Sequence, residues 1–367
     1  ILGFTGPLES ITPGMAASAE LAFKEASDSG MLLGGQKIEP IRRDSTCVDA
    51  AAATAAATRL VTSERVNAIF GADCSGVTTA IANNVAVPNG VPMISPSATS
   101  PALTTINDNG FFFRTAPSDA RQGEVLANVV KQRGIGEIAV TYTNNDYGKG
   151  LADSFSNAFK AIGGKVPIVA AHEDGKGDYS AEVGALAASG AKEVAVLGYV
   201  DQGGRGIIRS SLDTGAFSRF VFGDGMVGQS LIDNFGKDLE GSFGTLPGSD
   251  SPGATKFNEM AKAAGIDPSG PYRGESYDAA ALLVLAMQAA KSADRAAIQA
   301  KIMSVANAPG EKILPGELGK ALKILADGGE VDYQGATDVE LTDVGEAAGS
   351  YKELEVKAGK FALIKVH

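Results

Sequence analysis

Small hydroxyl side chains gather at two points of the chain, and each point follows an apolar, strand-like run. Ser75 stands in "CSGVTT", and Ser97, Ala98 and Thr99 stand in "ISPSATSPALT". Hydroxyl groups and free backbone N–H groups at the carboxyl end of a parallel strand can bind a carboxylate without a positively charged residue. A plain surface loop is the alternative for the second stretch. If the two loops converge, they form one end of a site for a small polar ligand.

A carboxylate and two tyrosines follow three later strand-like runs. Tyr147 stands in "NNDYGKG", Tyr199 in "GYVDQGG" and Asp224 in "FGDGM". Packed aromatic side chains and an ordinary Asp-Gly turn are the structural alternatives. In a cleft, the Asp224 carboxylate would be the natural partner of a ligand ammonium group. Together with the hydroxyl loops, it predicts a site that recognises both ends of a zwitterion.

The chain has two cysteines, Cys47 and Cys74, and each directly follows a strand-like run. In consecutive βα units their loops emerge at the same edge of a parallel sheet, where side chains of neighbouring loops can meet. Two reduced, buried thiols are the alternative. The position favours a disulfide, which would stabilise the fold by about 3 to 4 kcal/mol and indicates an oxidising compartment. A zinc site is disfavoured because the only histidines are His172 and His367.

These residues can meet only if several strands end at a common edge, and the sequence predicts such strands. Short β-branched runs alternate with helical patterns of about 10 to 15 residues, first up to "VPMIS" and again after "FFFRTAPSD". Two parallel-rich sheets and an α/β fold are therefore expected. "ILGFT" and "IEPIRR" are predicted strands, residues 241–249 a turn-rich change of direction, and "YKELEVKAGKFALIKV" a terminal hairpin.

Composition and missing motifs disfavour several classes of function. The chain has 32 basic and 43 acidic residues, so its formal charge of -11 repels nucleic acid. Its longest apolar run, residues 279–290, is too short to span a bilayer. No G-x-S-x-G elbow or P-loop occurs, and His172 is predicted to lie in a charged surface loop. We therefore expect neither an enzyme nor a cofactor or metal site.

Six motifs follow one another over nearly the whole chain: "RRDSTC", "GADCSG", "ISPSATSPALT", "FFRTAPSDARQG", "NNDYGKG" and "VDYQGATDVEL". Their order and spacing resemble the periplasmic leucine/isoleucine/valine-type binding proteins of ABC transporters. The resemblance implies the type I periplasmic-binding fold, with two Rossmann-like three-layer lobes and a three-segment hinge. The first lobe is expected to comprise residues 1–116 with 247–347, and the second lobe residues 117–246 with 348–367.

The resemblance also implies which residues of the first lobe contact the ligand. Ser75 and the stretch Ser97, Ala98 and Thr99 match the residues that bind the α-carboxylate and part of the ammonium group of an amino acid. Tyr272, in "SGPYRGESYDAA", matches loosely an aromatic residue that lines the side-chain pocket. These residues are therefore expected to form the first-lobe half of the site.

In the second lobe, the resemblance matches three residues to positions that close over the ligand. They are Tyr147, Tyr199 and Asp224, and the last stands where the family more often has Glu. The loop "PLESITPG" departs from the family because Glu9, Ser10 and Thr12 stand where branched-chain members place an aromatic residue. With Glu9 as a ligand contact, this departure favours a more polar amino acid, an amide or another small acid over an aliphatic ligand.

The implied function is that of an extracytoplasmic solute-binding protein of an ABC transporter. Such a protein captures an amino acid, or a related small zwitterion or acid, by hinge closure and delivers it to permease subunits in the membrane. We expect a monomer in the periplasm. The chain begins in strand-like sequence without Met, so any targeting segment is expected to have been cleaved or to be left out of this sequence. A ligand-sensing domain for amides or aromatic acids on the same fold is the alternative.

Overall fold

The computed structural model describes residues 1–367, which fold into α/β units. The first part of the chain builds a parallel sheet of three strands in the order β1-β2-β3, with helices packed beside it. Its elements are α1 (Thr12–Asp28), α2 (Ala50–Thr62), β1 (Ile69–Phe70), α3 (Ser75–Ile81), β2 (Met93–Ser95) and β3 (Phe112–Arg114). A π-helical turn, Ala82–Ala86, continues α3.

The alanine-rich helix α2 shows how local sequence produces this packing. The Asp49 side chain caps its first turn by accepting hydrogen bonds from two backbone N–H groups, each at 2.9 Å. Ala53, Ala57 and Leu60 recur at helical spacing and are buried. Small side chains on this face let the helix lie close to its neighbours, so the run is a packing helix and not a low-complexity segment.

The second series of elements builds a sheet of seven strands. Its elements up to residue 247 are α4 (Asp119–Gln132), β4 (Ala139–Thr143), α5 (Asp146–Ala161), β5 (Val169–His172), α6 (Ser180–Ala188), β6 (Val194–Leu197), α7 (Gly203–Thr214), β7 (Phe220–Phe222), α8 (Gln229–Phe235) and β8 (Phe243–Pro247). The five strands of this series pair in parallel in the order β8-β7-β6-β4-β5. The loops that carry the tyrosines and Asp224 therefore emerge at one edge.

The remaining chain returns to the first sheet and then closes the second. Its elements are α9 (Pro252–Ala263), α10 (Arg273–Ala290), α11 (Arg295–Ala306), β9 (Glu311–Ile313), α12 (Leu318–Ala326), β10 (Val331–Tyr333), β11 (Tyr351–Lys357) and β12 (Lys360–Val366). Helix α10 is buried almost throughout and packs on α1, α11 and β2. β11 joins β8 antiparallel, and β12 completes the predicted terminal hairpin. No helix of the fold is both long and apolar enough to cross a bilayer.

Three sequence predictions about strands are wrong. "ILGFT" contributes only one isolated bridge, from Leu2 to Asp44, and "IEPIRR" (38–43) pairs with no strand, since it is largely exposed and interrupted by Pro40. Residues 241–249 contain strand β8 and not only turns. Glycine allows this strand to lie close to β7, because a Cβ on Gly244 would lie 2.5 Å from the Phe222 carbonyl oxygen.

The chain passes three times between the two sheets, and the three crossing segments lie side by side. The Ala347 N–H donates to the Arg114 carbonyl oxygen at 3.0 Å, and the Gly248 N–H donates to the Ser350 carbonyl oxygen at 3.0 Å. The Tyr351 hydroxyl, after the third crossing, donates to the carbonyl oxygen of Ser118, after the first crossing, at 3.1 Å. We call the parts around the three-stranded and seven-stranded sheets the first and second lobe. The predicted boundaries at 116, 246 and 347 stay a prediction.

Candidate functional site

A cavity between the two lobes collects most of the predicted ligand residues. Its volume in this closed arrangement is about 20 Å³. The lining residues are Leu8, Ile11, Met15, Asp73, Ser75, Ser97, Tyr147, Tyr199, Asp224, Gly225 and Tyr272. Both predicted serines of the first lobe, all predicted residues of the second lobe and the loosely matched tyrosine are in this set. Their roles as ligand contacts stay a prediction.

The first lobe contributes hydroxyl groups from two neighbouring strand-end loops. The Ser75 Oγ accepts a hydrogen bond from the backbone N–H of Ser100 at 3.1 Å. The Ser97 Oγ donates to the carbonyl oxygen of Asp73, also at 3.1 Å. These bonds tie the loop after β1 to the loop after β2, as the parallel topology predicts. Two buried hydroxyls therefore meet on one side of the cavity.

The second lobe presents the carboxylate of Asp224 at the end of β7. The Tyr147 hydroxyl donates to Asp224 Oδ1 at 2.9 Å, and the Tyr272 hydroxyl, from the first lobe, donates to Oδ2. Tyr147 also accepts from the N–H of Gly225 at 3.1 Å and stacks on Tyr199 with ring centroids 5.0 Å apart. Asp224 is therefore held in place, and one of its contacts crosses the cleft.

The start of helix α5 explains the position of Tyr147. The helix begins at Asp146, because the Asn145 side chain caps it by accepting from the Gly148 N–H at 3.0 Å. A Cβ on Gly148 would lie 2.1 Å from the Thr143 carbonyl oxygen, so the tight turn requires glycine. Tyr147 therefore projects from the first turn of a helix and not from a free loop.

Asp119 is a further acidic residue that sequence analysis missed: it is fully buried, does not line the cavity, and lies close enough to Asp224 for the charge of Asp224 to raise its pKa. Its backbone N–H donates to the carbonyl oxygen of Thr99 at 2.8 Å, which joins the loop after β2 to the start of α4. The Thr99 hydroxyl lies near the buried Asp119 carboxyl group and acts to lower its pKa, but no well-aligned hydrogen bond joins the Thr99 Oγ1 or either carboxylate oxygen of Asp119 to the chain. Because such unpaired oxygens are costly, they mark a place where a ligand donor would be stabilised.

A signal for Asp119 was present in the sequence. It stands in "FFRTAPSDARQG", directly after the strand-like run that forms β3. The strand-end rule that selected Asp224 would have selected it as well. Of the predicted first-lobe stretch, Ala98 and Thr99 are buried without lining the cavity, and the Ala98 N–H donates to the Ser95 hydroxyl at 3.0 Å.

Burial controls the ionisation of these carboxyl groups. It raises the pKa of Asp224, although the Tyr272 and Tyr147 hydroxyls act in the opposite direction. Burial, followed by the nearby charge of Asp224, raises the pKa of Asp119 well above its ordinary value. The cavity lining contains no lysine or arginine. A cationic ligand group beside the two carboxyl groups would therefore favour their ionised forms and lower both pKa values.

The segment from Leu8 to Thr12 turns apolar side chains toward the cavity. Leu8 and Ile11 lie one turn apart and line it together with Met15. Glu9 is exposed and lies outside the lining, and the Thr12 hydroxyl donates instead to a backbone carbonyl oxygen at 2.8 Å. The structure therefore does not bring Glu9 to the other predicted residues. This wall of the cavity is aliphatic.

The disulfide between Cys47 and Cys74 confirms the prediction made from their positions. Their Cα atoms lie 5.2 Å apart, within the usual range for a disulfide. Asp73 lies beside the bridge and accepts hydrogen bonds from the Gly3 N–H at 2.9 Å and the Ser45 hydroxyl at 3.2 Å. Although the two cysteines and Asp73 cluster, both sulfur atoms are used in the covalent bond. The cluster therefore supports the cavity wall and not a metal ion.

The expectation that His172 lies at the surface is wrong. It ends β5, is buried, and its Nδ1 lies 2.8 Å from the Thr141 hydroxyl oxygen. Burial lowers the pKa of His172 to about 4, so the side chain is neutral at physiological pH. It belongs to the second-lobe interior and is not among the residues that line the cavity.

A larger groove lies elsewhere on the first lobe. Its volume is about 350 Å³, and it runs between α1, the extended residues 36–42 and β1. Most lining residues are hydrophobic, and two of its charged residues, Glu20 and Arg42, form an ion pair with each other. It therefore lacks the convergent polar groups of the cavity between the lobes, which we take as the functional site.

Two α/β lobes that face each other across a polar cavity define a ligand-capturing protein. The family model described as "Periplasmic binding protein" matches residues 1–319, and the chain belongs to this family. Among curated relatives, a Leu/Ile/Val-binding protein homolog 1 from Brucella melitensis is 31% identical over 79% of this chain and 77% of the relative. A leucine-, isoleucine-, valine-, threonine- and alanine-binding protein from Pseudomonas aeruginosa is 28% identical, with the same coverage.

Solved structures share the fold over the whole chain. A leucine-binding protein LivK from Thermotoga maritima superposes with a TM-score of 0.81 and 25% identity, covering 100% of this chain and 96% of the other. A solute-binding protein from R. palustris, solved in complex with benzoate, has a TM-score of 0.78 at 17% identity, covering 100% and 94%. The two-lobed α/β fold predicted from the sequence is therefore confirmed.

Proposed function

We propose that the protein captures a small aliphatic L-α-amino acid between its lobes and delivers it to the permease of an ABC transporter. The observation that carries this proposal is the arrangement around one cavity. The Ser75 and Ser97 hydroxyls line one side and Asp224 the other, and the buried Asp119, outside the lining, is close enough to Asp224 for their charges to interact. The two serine hydroxyls can bind the carboxylate of an amino acid, and the acidic groups can bind its ammonium group.

The side chain of the ligand would contact the aliphatic wall. Leu8, Ile11 and Met15 supply apolar surface and no hydrogen-bonding side-chain group apart from the weak thioether acceptor. A polar ligand side chain would lose hydrogen bonds to water there without replacement. The aliphatic wall therefore favours an aliphatic ligand side chain, and not the polar ligand that Glu9 suggested in the sequence. Relatives named for binding leucine, isoleucine and valine agree with it.

Hinge closure would couple capture to delivery. A ligand that contacts Ser97 in the first lobe and Asp224 in the second stabilises only the closed arrangement, so it shifts the population toward that form. We further propose a periplasmic monomer without catalytic activity, with lobe boundaries at 116, 246 and 347. The disulfide suits such an oxidising compartment.

Isothermal titration calorimetry tests the ligand class. We expect L-leucine or L-valine to bind with a dissociation constant in the micromolar range or below. Benzoate and acetamide lack the ammonium group and its charge-assisted bond, so they should bind at least roughly 100-fold more weakly. Asp213→Asn, an exposed substitution in α7, serves as a matched control and should bind like the parent protein. Tighter binding of benzoate or acetamide than of any amino acid would contradict the proposal.

A further inference from the structure

We propose that Asp201 and Ser230 of the second lobe hold residues 7–11 of the first lobe as a strap, and that this strap raises the closed fraction of the ligand-free protein. The inference rests on the proposed function only for its effect on ligand release. Its effect on the shape of the ligand-free protein is independent of which ligand binds.

Four hydrogen bonds define the strap and its anchor. The Ser10 N–H donates to Asp201 Oδ2 at 2.9 Å, and the Asp201 N–H donates in return to the Pro7 carbonyl oxygen at 3.1 Å. The Ser230 hydroxyl donates to Asp201 Oδ1 at 2.8 Å. The Ser10 hydroxyl donates to the Ser230 oxygen at 3.2 Å. Both carboxylate oxygens of Asp201 are therefore used, one of them directly across the cleft.

The anchor is fixed within the second lobe. Asp201 is 7% exposed, and the Arg205 guanidinium donates to its carbonyl oxygen at 2.7 Å. Its carboxylate forms no salt bridge, so its charge is stabilised by the N–H and O–H donors that surround it. Hydrogen bonds to an ionised acceptor are stronger than those between neutral groups. The Ser10 N–H of the first lobe is one of these donors, and opening the cleft would remove it.

The strap also forms part of the cavity wall. Leu8 and Ile11, on either side of the Ser10 anchor point, line the cavity. On the first-lobe side, the Arg273 guanidinium donates to the Ile11 carbonyl oxygen at 2.7 Å, which holds the end of the strap in place. Asp201 does not line the cavity. It is therefore a positioning residue, which places Leu8 and Ile11 without touching the ligand.

This arrangement has a consequence for the equilibrium between open and closed forms. All bonds of the strap join protein groups, so they stabilise the closed form whether or not a ligand is bound. A mutation that removes the anchor raises the open fraction of the ligand-free protein. It also speeds ligand release, since release requires opening.

Small-angle X-ray scattering and stopped-flow release of L-leucine test the strap. We expect ligand-free Asp201→Ala to have a larger radius of gyration than the ligand-free parent, and saturating L-leucine to restore the compact value. Release of L-leucine should be about tenfold faster, as expected for loss of a hydrogen bond to a charged acceptor. Asp213→Ala, an exposed substitution in the same second-lobe helix region, should match the parent in both measurements.

Ser230→Ala provides a second, milder variant in case Asp201→Ala does not fold. It keeps the Asp201 carboxylate and removes two hydroxyl contacts, and it should produce a smaller expansion and a smaller increase in release rate. Equal radii of gyration for parent, Asp201→Ala and Ser230→Ala would overturn the proposal. A ligand-free parent already as expanded as Asp201→Ala would also overturn it. If no amino acid binds, the proposed function fails, whereas the scattering comparison still decides the role of the strap.

Discussion

Two fully buried aspartates of this protein differ sharply in their surroundings. Asp278, in α10, accepts four hydrogen bonds, from the Tyr333 hydroxyl at 2.8 Å, the Ala336 N–H at 2.8 Å, and the N–H and hydroxyl of Thr337 at 2.9 and 2.7 Å. Asp119, which is close to Asp224, accepts no well-aligned hydrogen bond from the chain. The first lobe therefore supplies hydrogen-bond donors to the Asp278 carboxylate. It supplies none to the Asp119 carboxylate near the cleft.

The difference separates a structural carboxylate from a functional one. The contacts of Asp278 join α10 to the segment after β10, which connects parts of the first lobe that are distant in sequence. Burial nevertheless raises the pKa of Asp278 to about 6. The chain provides no comparable hydrogen-bond donors for Asp119. Its carboxylate oxygens are therefore available to a donor group of a ligand. The following predictions test this distinction.

The largest expected effect is the loss of stability in Asp278→Ala. The Ala336 N–H, Thr337 N–H and Tyr333 hydroxyl would lose their acceptor in the protein interior. We expect the free energy of unfolding to fall by about 3 kcal/mol, which urea denaturation followed by circular dichroism measures. The protein that remains folded should bind L-leucine like the parent. A loss of affinity without a loss of stability would contradict the structural role of Asp278.

Asp224→Asn is expected to act mainly on binding. It removes the charge-assisted bond to a ligand ammonium group and should weaken L-leucine binding by about 2 to 3 kcal/mol in calorimetry. An amide can still accept from one of the two tyrosine hydroxyls, so the cavity should keep its shape. Asp213→Asn, at an exposed acidic residue of α7 outside the cavity, is the control and should leave affinity unchanged. Unchanged affinity in Asp224→Asn would refute the role of this carboxylate.

Asp119→Asn should move stability and affinity in different directions. A neutral amide replaces a buried carboxyl group without hydrogen bonds, so we expect the ligand-free variant to unfold at the same temperature as the parent or higher. L-leucine affinity should fall by about 1 to 2 kcal/mol, because one of two acidic groups near the ammonium is lost. Thermal melts and calorimetry measure both. A marked loss of ligand-free stability would place Asp119 with Asp278 as a structural residue.

The smallest expected effect is a pH dependence of binding. Burial raises the pKa of Asp224 and Asp119 in the free protein, and a bound ammonium group would lower both. Binding therefore releases protons, and affinity for L-leucine should increase as the pH rises through the raised pKa values. The increase is at most about tenfold per pH unit for each proton released. Calorimetry in buffers of different ionisation enthalpy measures the release. Asp224→Asn should reduce it, and proton uptake on binding would contradict the assignment.

Much of the fold and part of the site followed from local sequence. The alternation of β-branched and helical runs predicted the α/β class, and the strand-end rule predicted that Ser75, Ser97 and Asp224 approach one cavity. The same rule predicted the pairing of Cys47 with Cys74; the disulfide confirms the pairing, although the run before Cys47 is not a strand. These predictions work because side-chain periodicity and the common edge of a parallel sheet are properties of short segments.

Other features could not be read from short segments. Residues 241–249 look like turns, yet they contain β8, because burial between β7 and β11 overrides the local preference of glycine and proline. Glu9 and Leu8 are neighbours in sequence, and only the turn of the strap decides that Leu8 lines the cavity. The strap itself depends on Asp201, which is 191 residues away from Ser10.

The amino-acid sequence by itself determined the α/β lobes, the disulfide and the residue types at the strand ends, because each follows from spacing within a few dozen residues. Tertiary structure alone decided which of these groups are satisfied by the chain and which are left for a ligand. Hydrogen-bond satisfaction depends on partners from distant segments, and for Asp119, Asp224 and Asp278 those partners become visible only when the two lobes and the crossing segments are assembled.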